Sequence, residues 1–252
     1  EEQAPKVAEG ARLLGAAYVC LENQPVKLTN DQGKLTNYLK KETDLVGRKT
    51  WNDGQYAGRP TTVQLHLYRQ ADGESTWEEV TGAMPVWYRN SDDTWSFVYE
   101  RISRTNASGA EYRYKVEEEV PKDYRVSYSK DSDGNQVLLE NVGDGSLTLT
   151  KEVTGSGGEP FREFHFTITV GTLPDGSKLP DGVYGEVSFR DGKAAITLKS
   201  GESIRADHLP GMVSYTVTEE EANLDRYRTT SEADQGVIQP FVVTEVKFTN
   251  SR

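Results

Sequence analysis

The chain has 252 residues, enough for two ordinary domains, and its 40 acidic residues against 29 basic ones give a formal net charge of −11. So acidic a surface repels polyanions and excludes nucleic acid as a partner over most of its area. The single cysteine excludes an intrachain disulfide, no run of 18 apolar residues is present to span a membrane, and EEQAPK does not open an export signal.

In chain order, residues 5–36 read PKVAEGARLLGAAYVCLENQPVKLTNDQGKLT and hold Cys20 in the apolar run AAYVC, where a free thiol is expected to act as a small buried hydrophobe. KKETD (40–44) marks a soft boundary before LVGRKTW. From residue 45 onward, period-two alternation punctuated by Gly, Asp and Asn dominates and helical periodicity is scarce, which predicts an all-β chain. TTVQLHLYR (61–69) alternates Val63, Leu65 and Leu67 against polar neighbours, and EFHFTITV (163–170) alternates Phe164, Phe166, Ile168 and Val170; both predict half-buried strands. Turns are expected at Asp53-Gly54, Asp72-Gly73, Asp133-Gly134, Asp175-Gly176, Asp191-Gly192 and Ser200-Gly201. SKDSDGNQ (129–136) has acidic calcium-loop spacing without a downstream bidentate glutamate, so a hairpin turn is the expectation. His66, His165 and His208 have no ligand spacing, and neither a metal nor a cofactor is expected. Gly143-Asp144-Gly145-Ser146 predicts a short polar linker between closely stacked domains.

The two halves repeat three signals in one order. The first half has RKTW with Lys49, YKVEE with Glu118 and VLLEN with Asn141; the second has LTLTKEV with Lys151, YTVTE with Glu219 and VKFTN with Asn250. From Lys49 to Asn141 is 92 residues and from Lys151 to Asn250 is 99, so one architecture in two copies is expected. Strand parity puts Tyr114, Val116 and Glu118 on one face, and likewise Tyr215, Val217 and Glu219. Lys151 follows Leu147 and Leu149 at the same period, and Asn250 follows Val246 and Phe248. Polar groups on apolar faces are costly unless neutral or paired. Taken singly, each residue reads as an exposed lysine, a solvated glutamate or a turn asparagine; six in matched order and parity point to a buried site in each half. Among the adjacent Glu117, Glu118 and Glu119, parity alone selects Glu118.

These segments resemble a known family. KTWND…RP (49–60), VQLHLY, YRYKVEEEVPKDY (112–124) and LLEN look like a collagen-adhesin B-type (CnaB) repeat, while SLTLTKEVTG (146–155), FHFTITV, LPGMVSYTVTEEEAN (209–223) and VKFTN resemble the C-terminal domain of a Gram-positive pilin with intramolecular isopeptide bonds. The resemblance implies tandem immunoglobulin-like β-sandwiches, a CnaB-type domain over 45–142 and a pilin-type domain over 145–252. It also implies Lys49–Asn141 and Lys151–Asn250 isopeptide bonds on first and last strands. Glu118 and Glu219 would act as the promoting acids: in an apolar site the lysine loses its charged form, the neutral amine attacks the asparagine side-chain amide, and the protonated glutamate donates to the amide oxygen. This is a single-turnover self-modification, not an enzyme. Residues 1–44 are similar to the opening of another B-type domain with Lys6 as its strand lysine; a truncated remnant, a module completed by another segment and a coincidence all stay open. Val120-Pro121-Lys122 resembles the lysine motif that sortases use on some pilins but falls inside the B-type VPxxY turn. The implied protein is a sortase-handled, cell-wall-anchored extracellular pilus or adhesin stalk subunit, with other pilin subunits and sortase as partners. The alternative is an adhesin module that holds a host surface protein or glycan on an aromatic face built from Trp51, Trp77, Trp87 and Trp95, although core packing is the ordinary explanation for most of these tryptophans. No nucleophile–base pair, metal cluster or phosphate loop supports an enzyme.

Overall fold

A computed structural model describes residues 17–21, 24–31 and 34–39 as strands and residues 42–252 in full. Lys6 and the side chain of Cys20 lie outside the described residues. The strands in chain order are β1 (Ala17–Leu21), β2 (Gln24–Asp31), β3 (Lys34–Leu39), β4 (Glu42–Asn52), β5 (Leu65–Ala71), β6 (Glu78–Glu79), β7 (Val86–Arg89), β8 (Trp95–Ser103), β9 (Tyr112–Glu118) and β10 (Tyr124–Lys130). There follow β11 (Gln136–Thr154), β12 (Phe164–Val170), β13 (Gly182–Tyr184), β14 (Val187–Phe189), β15 (Lys193–Leu198), β16 (Ser203–Pro210), β17 (Ser214–Glu219), β18 (Arg228–Glu232), β19 (Gln235–Val237) and β20 (Val243–Ser251). Among the described residues no helix is long and apolar enough to cross a membrane. The first three strands form an antiparallel meander.

Two immunoglobulin-like sandwiches follow, each with its own core. In the first, β10, β11, β4, β8 and β7 pair in that order, and β6, β5 and β9 form the facing sheet, joined to it where Gln136 pairs Lys115. Leu67, Phe97, Tyr99, Val116, Val137 and Leu139 fill the space between. In the second, β16, β11, β20 and β18 face β15, β12, β17 and β19 across a core of Leu147, Leu149, Phe164, Phe166, Ile168 and Val246, among others. In both, the first and last strands lie side by side and parallel: β4 with β11, then β11 with β20.

The predicted linker is strand, not loop. β11 runs unbroken for 19 residues, closing the first sandwich with its first half and opening the second with its second half. Burial alternates through it from Val137 to Lys151, Gly143 and Gly145 included. The glycines are there for space: a Cβ on Gly143 would lie 2.2 Å from the ring of Phe241, and one on Gly145 would lie 2.4 Å from the Gln239 carbonyl oxygen. Around this crossing Arg125 Nε donates to Asp144 at 2.8 Å, and its Nη2 donates to the His208 carbonyl at 3.1 Å. Gly143→Ala is expected to overpack the crossing and to lower stability by about 1–3 kcal/mol, read from the urea midpoint.

β5 begins at Leu65, four residues after the predicted start, because its partner β9 ends at Glu118, which pairs Leu65. SKDSDGNQ is the β10–β11 hairpin, in which Asp131 Oδ1 accepts from the backbone of Asp133 and Asn135. The tryptophans do not make an exposed aromatic face. Trp51 meets Trp95 edge-on at 5.1 Å, and Trp95 meets Trp87 at 5.8 Å. Trp95 is buried, Trp51 and Trp87 are half-buried, and Trp77 alone is well exposed. Parity explains this: Trp51 follows Lys49, and Trp95 precedes Phe97 and Tyr99, on inward faces.

Candidate functional sites in the two cores

Each core contains one lysine, one glutamate and one asparagine that are almost wholly withdrawn from water. Lys49, Asn141, Lys151 and Asn250 are fully buried; Glu118 and Glu219 have buried side chains. Lys49 comes from β4, Asn141 from the neighbouring β11 and Glu118 from β9 on the opposite sheet. Lys49 Nζ donates to Glu118 Oε2 at 2.6 Å, and Asn141 Nδ2 donates to Glu118 Oε1 at 2.8 Å. In the second core Lys151 Nζ donates to Glu219 Oε2 at 2.9 Å, and Asn250 Nδ2 donates to Glu219 Oε1 at 2.5 Å. One carboxylate thus bridges an amine and a carboxamide in both.

Register makes the two sites superimposable in logic. Asn141 pairs Trp51, two residues beyond Lys49, and Asn250 pairs Val153, two residues beyond Lys151. In adjacent strands that diagonal offset puts both side chains on one face and within reach of each other. A shift by one residue would send one partner to solvent.

The electrostatics follow from burial. Desolvation lowers the pKa of Lys49 from 10.5 to about 8, against the opposing pull of Glu118. Desolvation likewise lowers that of Lys151, again opposed by Glu219. Both amines lie over aromatic rings: Lys49 Nζ is 4.3 Å from the centre of Trp51, and Lys151 Nζ is 4.2 Å from that of Phe164. These rings were not singled out as site residues from the sequence, although Trp51 shares the face of Lys49 and Phe164 opens an inward-alternating strand. A third participant, the hydroxyl of Tyr128, accepts from the backbone N–H of Glu118 at 2.9 Å and fixes that end of β9. The Oδ1 atoms of Asn141 and Asn250 are buried without a hydrogen-bond partner. An orphan carbonyl in each of two cores is a cost that ordinary packing avoids.

Next to the first site, the KTWND…RP segment builds a polar knot. Asp53, 2 % exposed, accepts from Arg59 at 2.6 and 2.8 Å and from the Tyr124 hydroxyl at 2.9 Å. Burial alone would raise its pKa, but the hydrogen bonds from Arg59 and Tyr124 hold its carboxyl below the usual range.

Residues 45–141 match the family profile of the Cna protein B-type domain, and residues 145–252 match that of a domain of unknown function, DUF7601. Over 77 residues, 29% of its length, the chain is 42% identical to the pilus tip adhesin Cpa of Streptococcus pyogenes, of which that is 11%. Over 121 residues, 43% of its length, it is 30% identical to a pilin of S. pyogenes serotype M1, of which it covers 35%. The chain therefore spans about a tenth and about a third of these two relatives. Among solved structures, the major pilin T3.2 of S. pyogenes aligns with 84% of this chain and 99% of its own at 19% identity and a TM-score of 0.40. The match to the Cna protein B-type domain thus covers the first sandwich, and the chain continues directly from it into a second immunoglobulin-like sandwich with the same buried Lys, Glu and Asn.

Proposed function

We propose that this chain is part of a Gram-positive surface pilus or adhesin stalk, a rigid spacer whose two sandwiches each seal themselves with a Lys–Asn isopeptide bond. The observation that carries this is the twice-built set of buried amine, carboxylate and carboxamide at hydrogen-bonding distance on first strand, facing strand and last strand. The pilin and pilus tip adhesin among the relatives support the surface setting. By that likeness the partners are other pilin subunits and sortase, and the place is outside the cell on the wall. The inward tryptophans leave no comparable support for an aromatic host-binding face.

The chemistry is balanced within each core. A proton passes from Lys49 Nζ to Glu118 along their hydrogen bond, turning the ion pair into a neutral amine and a carboxylic acid with the net charge of the core unchanged. The amine lone pair adds to Asn141 Cγ, and the developing oxyanion takes the acid's hydrogen bond once the amide turns its orphan Oδ1 toward Glu118. Through Glu118 a proton moves from Nζ to Nδ2, the Cγ–Nδ2 bond breaks, and ammonia leaves an Nζ–Cγ amide behind. Lys151, Glu219 and Asn250 act the same way. The product replaces a buried ion pair by a neutral amide, which removes the desolvation cost of the charges.

Intact-mass measurement tests this. The unsubstituted chain is expected to weigh two ammonia masses less than its sequence, and Lys49→Ala or Lys151→Ala one less; a full unmodified mass refutes it. A second test is the pH dependence of an unbonded variant. In Asn141→Ala the Lys49 amine stays free, with a folded-state pKa near 8 against 10.5 when unfolded. The unfolded chain then binds more protons between those values, so stability rises with pH through that window and the penalty is full below it. The expected gain is on the order of 3 kcal/mol by urea titration. It should vanish in Lys49→Met/Asn141→Ala, which lacks the amine.

A further inference from the structure

Phe241 belongs to the second sandwich, yet its ring ends a row of aromatic groups that begins at the reactive lysine of the first. Tyr56 stacks on it face to face, with centres 3.9 Å apart and planes 8° apart. Tyr124 meets it edge-on at 5.1 Å, Trp51 meets Tyr124 at 5.2 Å, and Lys49 Nζ lies 4.3 Å from the centre of Trp51. Trp51 Nε1 is buried without an acceptor, so no hydrogen bond from the indole holds it over the amine; only its packing does. Phe241 also has a φ of 56°, a left-handed conformation that costs a bulky residue about 1–2 kcal/mol. Such strain persists where surroundings over-determine it, and here the Tyr56 stack, Gly143 beneath the ring and the bond from Phe241 N to the Asp144 carbonyl at 2.8 Å do so.

We propose that docking of the second sandwich through Phe241 seals and positions the Lys49 site of the first, so that the first isopeptide bond forms at full rate only when the two sandwiches are joined. The inference rests on the bond-forming reading of the two sites and adds a direction to it. The second site has no such dependence: the ring over Lys151 is Phe164, from its own core. Phe241 and Tyr56 are positioning residues that act through Tyr124 and Trp51. A site left open to water and off its attack geometry by an ångström loses rate by up to about 100-fold.

The test uses the full chain with Phe241→Ala, Tyr56→Ala and Phe241→Tyr, purified promptly and followed by mass spectrometry of proteolytic fragments, which scores each bond separately over time. Phe241→Ala and Tyr56→Ala are expected to slow the Lys49–Asn141 bond by 10-fold or more, while the Lys151–Asn250 bond forms as in the unsubstituted chain. Phe241→Tyr, which keeps the stack, is expected to restore the first bond. Tyr56→Ala lies in the first sandwich and is half-exposed, so it answers the question even if Phe241→Ala perturbs the second. Unchanged first-bond rates, or equal slowing of both bonds, overturn the inference while leaving the bonds themselves standing. Absence of both bonds in the unsubstituted chain overturns the inference and the underlying chemistry together.

Discussion

Glu219→Ala is expected to leave the second sandwich unbonded and to be the most damaging single substitution in it. Two losses combine. Without the bridging acid, Lys151 and Asn250 do not react, and a cross-link closing a loop of 99 residues, by analogy with a disulfide, is worth about 4–5 kcal/mol. The lysine is also left in a pocket from which its buried counter-ion has gone, where it must either stay charged and unpaired or give up its proton, and orphaning one partner of a buried pair costs about 3–5 kcal/mol. The two terms overlap, but loss of the cross-link alone would lower the melting point of this sandwich by roughly 20 °C. Calorimetry should show its transition split from that of the first sandwich, and the mass deficit against the sequence should shrink from two ammonia masses to one. Lys151→Met/Glu219→Ala separates the contributions: it abolishes the bond and removes both ends of the buried pair, so it should be milder than Glu219→Ala. A Glu219→Ala protein with the unsubstituted mass deficit and melting point would remove the glutamate from the mechanism. Glu118→Ala is the matching experiment in the first sandwich.

The inward direction of the six polar residues was legible because strand parity is a local property. YKVEE and YTVTE each carry an apolar pair two and four residues before the glutamate, so the face that takes Val116 or Val217 also takes the carboxylate. What parity could not supply was pairing. The offset of two residues that sets Asn141 against Lys49 comes from the parallel register of β4 and β11, strands about ninety residues apart in sequence. The same limit hid the nature of Gly143-Asp144-Gly145-Ser146. By composition it is a loop, but β10 pairs it up to Gly143, β16 from Asp144 and β20 from Ser146, and these distant partners hold polar and glycine residues extended. Trp51 shows what parity does supply. A count of tryptophans leaves surface and core both open, whereas the position of Trp51 two residues after Lys49 puts it on the inward face.

Under tension the two proposed bonds are expected to make most of the chain inextensible. Asn141 and Lys151 sit on the same strand, both on its buried side and ten residues apart, a span of about 33 Å. A pull that enters at Lys49 would cross to Asn141, run along β11 to Lys151 and leave through Asn250, so the loops 49–141 and 151–250 never bear load. Because the first and last strands of each sandwich are parallel neighbours, the same pull without the bonds would shear β4 from β11 and β20 from β11, opposed only by backbone hydrogen bonds and the core. In single-molecule stretching, the unsubstituted chain should therefore show no unfolding step between Lys49 and Asn250 below the force that breaks covalent bonds. Lys49→Ala should release one step of about 300 Å, the extended length of its 92-residue loop, and Lys151→Ala one of similar size from the other sandwich. A step of that length in the unsubstituted chain would show that the sandwiches bear the load through their folds alone.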